Sequence, residues 1–119
     1  MGYSSVDLES IEPSGPGDAV RFVRRELGVT AFGVNHFTLP PGTTGREHDE
    51  VASGQEEVMI VLSGSGVLRV DGEELELKPG RFVRIDPESI RVPVAGPDGL
   101  VFVTVGSPRD EPYVARGPF

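Results

Sequence analysis

Cysteine is absent from the 119 residues, which excludes a disulfide framework, thiolate zinc sites and a cysteine nucleophile together. Histidine is scarce. With His36 and His48 alone, a metal site can use at most two imidazoles and must complete itself with carboxylate, amide or water. Positive charge is short as well: 11 basic against 19 acidic side chains leave a formal net charge of −8. The densest basic stretch, RFVRREL at 21–27, holds three arginines. No patch suits a phosphate backbone, so nucleic acid is not an expected partner. No apolar run approaches a membrane span, and MGYSSVDLES has neither the basic region nor the hydrophobic core of a signal peptide. Val6 stands where a myristoylation signal wants Ser or Thr. No membrane partner is expected, and a cytoplasmic location is the default expectation.

What is present points to one folded domain. Apolar residues make up 37% and charged ones 25%, and a chain of this length supports a single core. Sixteen glycines and 11 prolines, with 17 valines between them, leave little room for long helices and favour short strands with tight turns. Residues 1–29 read as an irregular arm and a short helix: Asp18 is a good N-cap, AVRFVRREL supplies an apolar face, and Gly28 is a good closing residue. VRFV within it also fits a strand.

From Thr30 the period changes to two. Phe37 and Leu39 share one face of TAFGVNHFTL and His36 and Thr38 the other, until Pro40 and Pro41 stop the strand. EEVMIVL, an SGSG turn and VLRV follow. Asp71-Gly72 then favours a type I′ hairpin into ELEL. After the LKPG turn come RFVRI, a DPES turn, IRVPV, an AGPDG turn and LVFVTVG. Seven or eight such strands predict an all-β sandwich or small barrel over 30–106. The tail at 107–119 has three prolines and is expected to pack across the outside as an extended segment.

The polar segment GTTGREHDEVASGQEE carries the chemistry. On a strand Gln55, Glu57, Met59 and Val61 share one face, and Glu56, Val58, Ile60 and Leu62 the other. If the first face is interior, Glu57 is a carboxylate in an apolar barrel, costly unless paired, protonated or bound to a cation. Asp49, Glu50 and Glu56 also fit a solvated acidic loop. The glycines of GSG join two strands rather than open a helix, so they form no phosphate loop. No triad partners accompany Ser63 or Ser65.

These residues resemble the first motif of the cupin superfamily, in which Gly and five residues precede a histidine, and a glutamate precedes Gly by six. Gly42 precedes His48 and Glu57 precedes Gly64 at those spacings. GRFVRIDPESIRVPVA resembles the second motif in degenerate form, with Gly80 opening it, Pro87 one residue late, Ser89 near the second glycine and Arg91 at the histidine. The resemblance covers roughly residues 30 to 106. It implies a double-stranded β-helix, or jelly-roll barrel, and a divalent metal such as Mn, Fe, Ni or Zn in its mouth. Of the family's ligands His48 and Glu57 are present, Glu50 stands at the second histidine and Arg91 at the third. Gln55 competes with Glu57, but the spacing to Gly64 runs through a strand and favours Glu57.

A set of His48, Glu50 and Glu57 suits Mn²⁺, Fe²⁺ or Mg²⁺ better than structural zinc. Alternatively, the Arg91 guanidinium pairs with a carboxylate and replaces the metal outright. His36, on the face away from Phe37 and Leu39, is not an expected ligand. The implied function is a barrel binding a small polar or acidic metabolite between Arg91 and His48, with Gln55, Met59, Val61 and Phe82 lining it. Arg91 is either its anchor or half of an internal salt bridge. The alternatives are a metal-dependent enzyme of dioxygenase, isomerase or decarboxylase type, and a sensor or assembly module without catalysis. The resemblance also implies a homodimer.

Overall fold

Apolar alternation is realised in three segments, and in two of them it runs further than the local turn signals allow. The computed structural model describes residues 2–117. After short 3-10 turns at Leu8–Ser10 and Pro16–Asp18 come β1 (Val20–Arg21), α1 (Val23–Leu27), β2 (Gly33–Leu39), β3 (Gln55–Val70), β4 (Glu73–Leu77), β5 (Phe82–Ile85) and β6 (Arg91–Pro108). The antiparallel order is β1-β2-β6-β3-β4, with β5 paired to the first half of β3.

SGSG and AGPDG read as turns between separate strands, yet β3 and β6 continue through both. The two long strands cross a corner together, with register shifts between Val61 and Ser63 and between Gly64 and Gly66. Gly64 sits at φ +85°, and a Cβ there would lie 2.1 Å from the Gly99 carbonyl oxygen. Glycine therefore lets the sheet fold onto itself and close a jelly-roll barrel. Asp71 and Gly72, at φ +50° and +83°, form the expected hairpin between β3 and β4.

The barrel interior holds Leu39, Met59, Val61, Leu68, Leu77, Ile85, Ala95, Leu100 and Phe102. Phe37 stacks on Phe102 with ring centroids 4.9 Å apart. Phe82 is not among them: the register Met59↔Val83 and Ile60↔Phe82 turns Val83 inward and Phe82 outward, where it is 68% exposed.

The helix is shorter than Asp18 and its apolar face predict. Asp18 ends a 3-10 turn at φ +53°, and Val20 and Arg21 pair with Phe37 and His36 of β2. The free edge of β2 offers backbone partners to a β-branched residue, and pairing wins over helix there. α1 starts at Val23 and closes on Gly28, at φ +76°, as expected. Through β1 the arm thus adds a strand to the barrel sheet. At the other end, Ser107 and Pro108 complete β6, Arg109 bonds to Asp86 at 2.6 Å, and residues 109–117 are exposed; positions 118–119 of the expected tail lie outside the described residues. Among the described residues no helix is long and apolar enough to cross a membrane.

His36 faces away from the interior, as its alternation with Phe37 and Leu39 predicts, but it is 7% exposed. Burial, and secondarily the Arg21 charge, lower its pKa below the ordinary 6.5. The unfolded chain takes up this proton at the ordinary value, so below about pH 6.5 it binds more protons than the fold, and stability is lost as the pH is lowered. Urea midpoints of the wild-type protein between about pH 7.5 and about pH 5.5 are expected to carry this loss, and His36→Asn to flatten it. Equal slopes for both proteins would contradict the assignment.

Candidate metal and ligand site

Strand pairing brings four polar side chains to one end of the barrel. His48 and Arg91 exchange both backbone hydrogen bonds, His48 N–H to Arg91 O at 3.0 Å and Arg91 N–H to His48 O at 2.9 Å, so their side chains share a face. Glu50 N–H donates to Pro87 O at 2.8 Å. Glu57, in register with Ile85 and Gly106, comes in on β3 from the opposite wall.

His48 is oriented from both sides. Its Nδ1 lies 3.2 Å from the Arg46 carbonyl oxygen, which can only accept, so Nδ1 carries the hydrogen. Nε2 faces Glu50 Oε2 at 3.0 Å. The other oxygen of Glu50 accepts from the Ser53 hydroxyl at 2.8 Å. The carbonyl on Nδ1 fixes the ring and leaves Nε2 as the nitrogen turned toward the carboxylates, as the backbone partner of a metal-ligating histidine does.

Arg91 is 2% exposed. Its Nη2 donates to Glu57 Oε1 at 2.9 Å, and its Nη1 to the carbonyl oxygens of Ser89 at 2.8 Å and Asp86 at 3.4 Å; Nε is buried without a partner. The expected anchoring of a ligand by Arg91 is therefore not what this geometry provides. The guanidinium is engaged by Glu57 and two carbonyls and forms half of an internal salt bridge.

That pair leaves the three candidate ligands in reach of one another. Among the described residues His48, Glu50 and Glu57 form the group whose ligand atoms all lie within 4.8 Å of one another. One nitrogen and two carboxylates at that spacing fit a divalent cation, with Arg91 offsetting one carboxylate charge. His36 lies on the opposite sheet face and takes no part.

Of the other expected site residues, Met59 is buried in the core below Glu57 at 3% exposure. Gln55 lies beside Glu57 over Gly106: a Cβ on Gly106 would meet Gln55 Oε1 at 2.8 Å and Glu57 Cγ at 3.1 Å. Glu56 sits outside in an exposed network with Arg84, Asp86, Arg109 and Glu88, and Asp49 caps Val51 N–H at 3.0 Å. Two further polar residues lie near the cluster. Ser53 lies in a loop, where no alternation signals it. Asn35 is detectable, since it takes an inward position two residues before Phe37, and its Oδ1 is buried without a partner.

Residues 35–105 match the family described as Cupin domain. Among solved structures the chain is similar to a cupin protein from Bacteroides fragilis, with 27% identity over 96% of this chain and 92% of that one and a TM-score of 0.76. It is also similar to a sugar phosphate isomerase of the cupin superfamily from Silicibacter pomeroyi, at 26% identity, 87% and 75% coverage and a TM-score of 0.69. A Cupin 2 conserved barrel domain protein from Salinispora arenicola shares the fold at 18% identity, covering 92% of this chain and 90% of that one, with a TM-score of 0.68.

Proposed function

The chain belongs to the cupin domain family, and from that premise we propose that its barrel binds a small polar or acidic metabolite at a divalent cation held by His48, Glu50 and Glu57. The observation that carries this reading is the spacing of those ligand atoms, all within 4.8 Å, together with the carbonyl that fixes the His48 ring. Three protein ligands leave coordination positions for water or for a ligand's oxygens. When bound, the cation supplies Lewis-acid polarisation of such an oxygen.

The chain's own residues divide the remaining work. Ser53 holds one oxygen of Glu50, and Arg91 holds one oxygen of Glu57, so each carboxylate keeps a second oxygen directed by its neighbour. Glu50, unlike Glu57, has no guanidinium partner, which makes it the carboxylate better suited to receive a proton from a bound ligand. The 26% likeness to a sugar phosphate isomerase supports a second, enzymatic reading in which Glu50 performs that transfer.

Titration calorimetry of Mn²⁺ into chelator-treated protein tests the cation. One ion per chain is expected, with affinity at least tenfold lower in His48→Ala. Absence of binding up to about 1 mM Mn²⁺ would remove the reading.

For the partner we propose a second copy of this chain on the outer sheet face. Phe82 and Leu62, 68% and 49% exposed, lie there on adjoining strands. Beside them Arg84 and Arg109 alternate with Glu56 and Asp86, a pattern that a two-fold related copy can complement. Light scattering is expected to report a dimer that Phe82→Asp disperses, with a change in intrinsic stability within about 0.5 kcal/mol because the side chain is exposed. A wild-type monomer at micromolar concentration would overturn the proposal.

A further inference from the structure

A cavity of about 300 Å³ opens beside Gln55, between the segment following α1 and the sheet. Gly33 and Gly106 form its floor, Asn35 and Gln55 its walls, and Arg24 and Phe32 its rim. The two glycines are a register pair on neighbouring strands, directly in line with Glu57. At Gly33 the missing side chain leaves space open, whereas at Gly106 it lets Gln55 and Glu57 lie where a side chain would stand. Gln55 and Glu57 lie side by side over Gly106, so the cavity adjoins the cation cluster through the wall these two side chains share.

Its lining has a definite chemistry. Asn35 Oδ1 is buried with no hydrogen-bond partner, a costly state that a ligand polar group relieves. An amide turned either way offers an acceptor or a donor, and a hydroxyl group satisfies both. Arg24 is exposed and fastened by Nη1 to the Val29 carbonyl at 3.2 Å, which stations a cation at the rim of a chain that is otherwise strongly acidic. Phe32, 43% exposed beside it, offers an apolar surface to the carbon skeleton of a small molecule.

We infer that this cavity is the specificity pocket of the barrel and that it takes a small hydroxylated anion, its hydroxyl on Asn35 and its carboxylate or phosphate toward Arg24. The inference rests on the reading of the mouth as a ligand site, and it names the part of the ligand that the cation does not reach. The anion can be a sugar acid or a sugar phosphate, and the pocket chemistry common to both is a polyol bearing one anionic group.

Backbone and side-chain amide NMR shifts of the full chain, in the presence of Mg²⁺, test this with four probes: gluconate, glucose 6-phosphate, glucose and inorganic phosphate. One or both polyol anions are expected to shift Gly33, Asn35 and Gly106 at concentrations up to about 10 mM, at least tenfold lower than either control requires. Which of the two acts distinguishes carboxylate from phosphate. The decisive variant is Gly33→Val. A Cβ at Gly33 meets nothing nearer than the Gly106 oxygen at 3.7 Å and Gln55 Oε1 at 4.0 Å, so the branch starts from ordinary contact and extends into the cavity. Its melting temperature is expected to be no lower than that of the wild-type protein, while binding weakens at least tenfold. Asn35→Ala is expected to lose binding comparably and serves if Gly33→Val misfolds.

Shifts confined to His48, Glu50 and Glu57 would overturn the pocket and leave the cation site standing. Polyol-anion binding that survives both variants would also overturn it. No shift anywhere with any probe would remove both the pocket and the metabolite reading.

Discussion

Arg91→Met is expected to destabilise the protein by about 3–5 kcal/mol, read as a lowered urea midpoint without a change in slope. Arg91 is 2% exposed and Glu57 16% in their side chains. Methionine replaces the stem but none of the donors, leaving a carboxylate without its counter-charge and the Ser89 and Asp86 carbonyls without theirs. The cost lies in the orphaned partner, not in the bond itself. The double variant Arg91→Met with Glu57→Met is therefore expected to recover most of the loss, since removing both members of a buried pair is often close to neutral. A double variant as unstable as the single one would show that the carbonyl contacts, and not the charge pair, dominate.

The same substitution separates structure from binding. Arg91 offsets one of the carboxylate charges at the mouth, so Arg91→Met is expected to gain more stability from added Mn²⁺ than the wild-type protein does. An Arg91 that anchored the ligand directly would give the opposite result for ligand affinity and no gain with the metal.

Gly64→Ala carries the second large effect, a loss of about 3 kcal/mol or more. Two costs add: an alanine held at φ +85° is strained by about 1–3 kcal/mol, and its Cβ would stand 2.1 Å from the Gly99 carbonyl oxygen, forcing β3 and β6 apart at a further overpacking cost of about 1–3 kcal/mol. Gly72→Ala is the control. It also has positive φ, +83°, but meets nothing within 4 Å, so thermal or urea unfolding is expected to register only the first cost. Equal losses at the two positions would contradict the role assigned to the corner.

These two sites mark where the sequence is legible and where it is not. The inward row of Gln55, Glu57, Met59 and Val61, the Asp71-Gly72 hairpin and the Gly28 closure are local facts, governed by side-chain period or by φ, and the structure has all three. The corner is not local. SGSG and AGPDG look like turns in isolation, and they become a continuous bend because Gly64 packs on Gly99 and Gly66 on Val94, more than 25 residues away.

Strand parity was available for Phe82 too. In RFVRI it shares a face with Arg84, while Val83 and Ile85 share the other, and burial of the second pair decides the matter. For Arg91 the residue type admits both an anion anchor and a salt bridge. Only the approach of β3 to the loop before β6, which brings Glu57 to 2.9 Å, decides between them. Asn35 shows the converse case, an inward polar residue that alternation alone locates but whose unpartnered state is a property of the folded barrel.

Anomalous diffraction from crystals grown with Mn²⁺ tests the cation site most directly. A single peak is expected within about 2.0–2.4 Å of His48 Nε2 and of one oxygen each from Glu50 and Glu57, with the Arg91–Glu57 pair intact. A map without a peak at that position, with His48 Nε2 still bonded to Glu50, would contradict it.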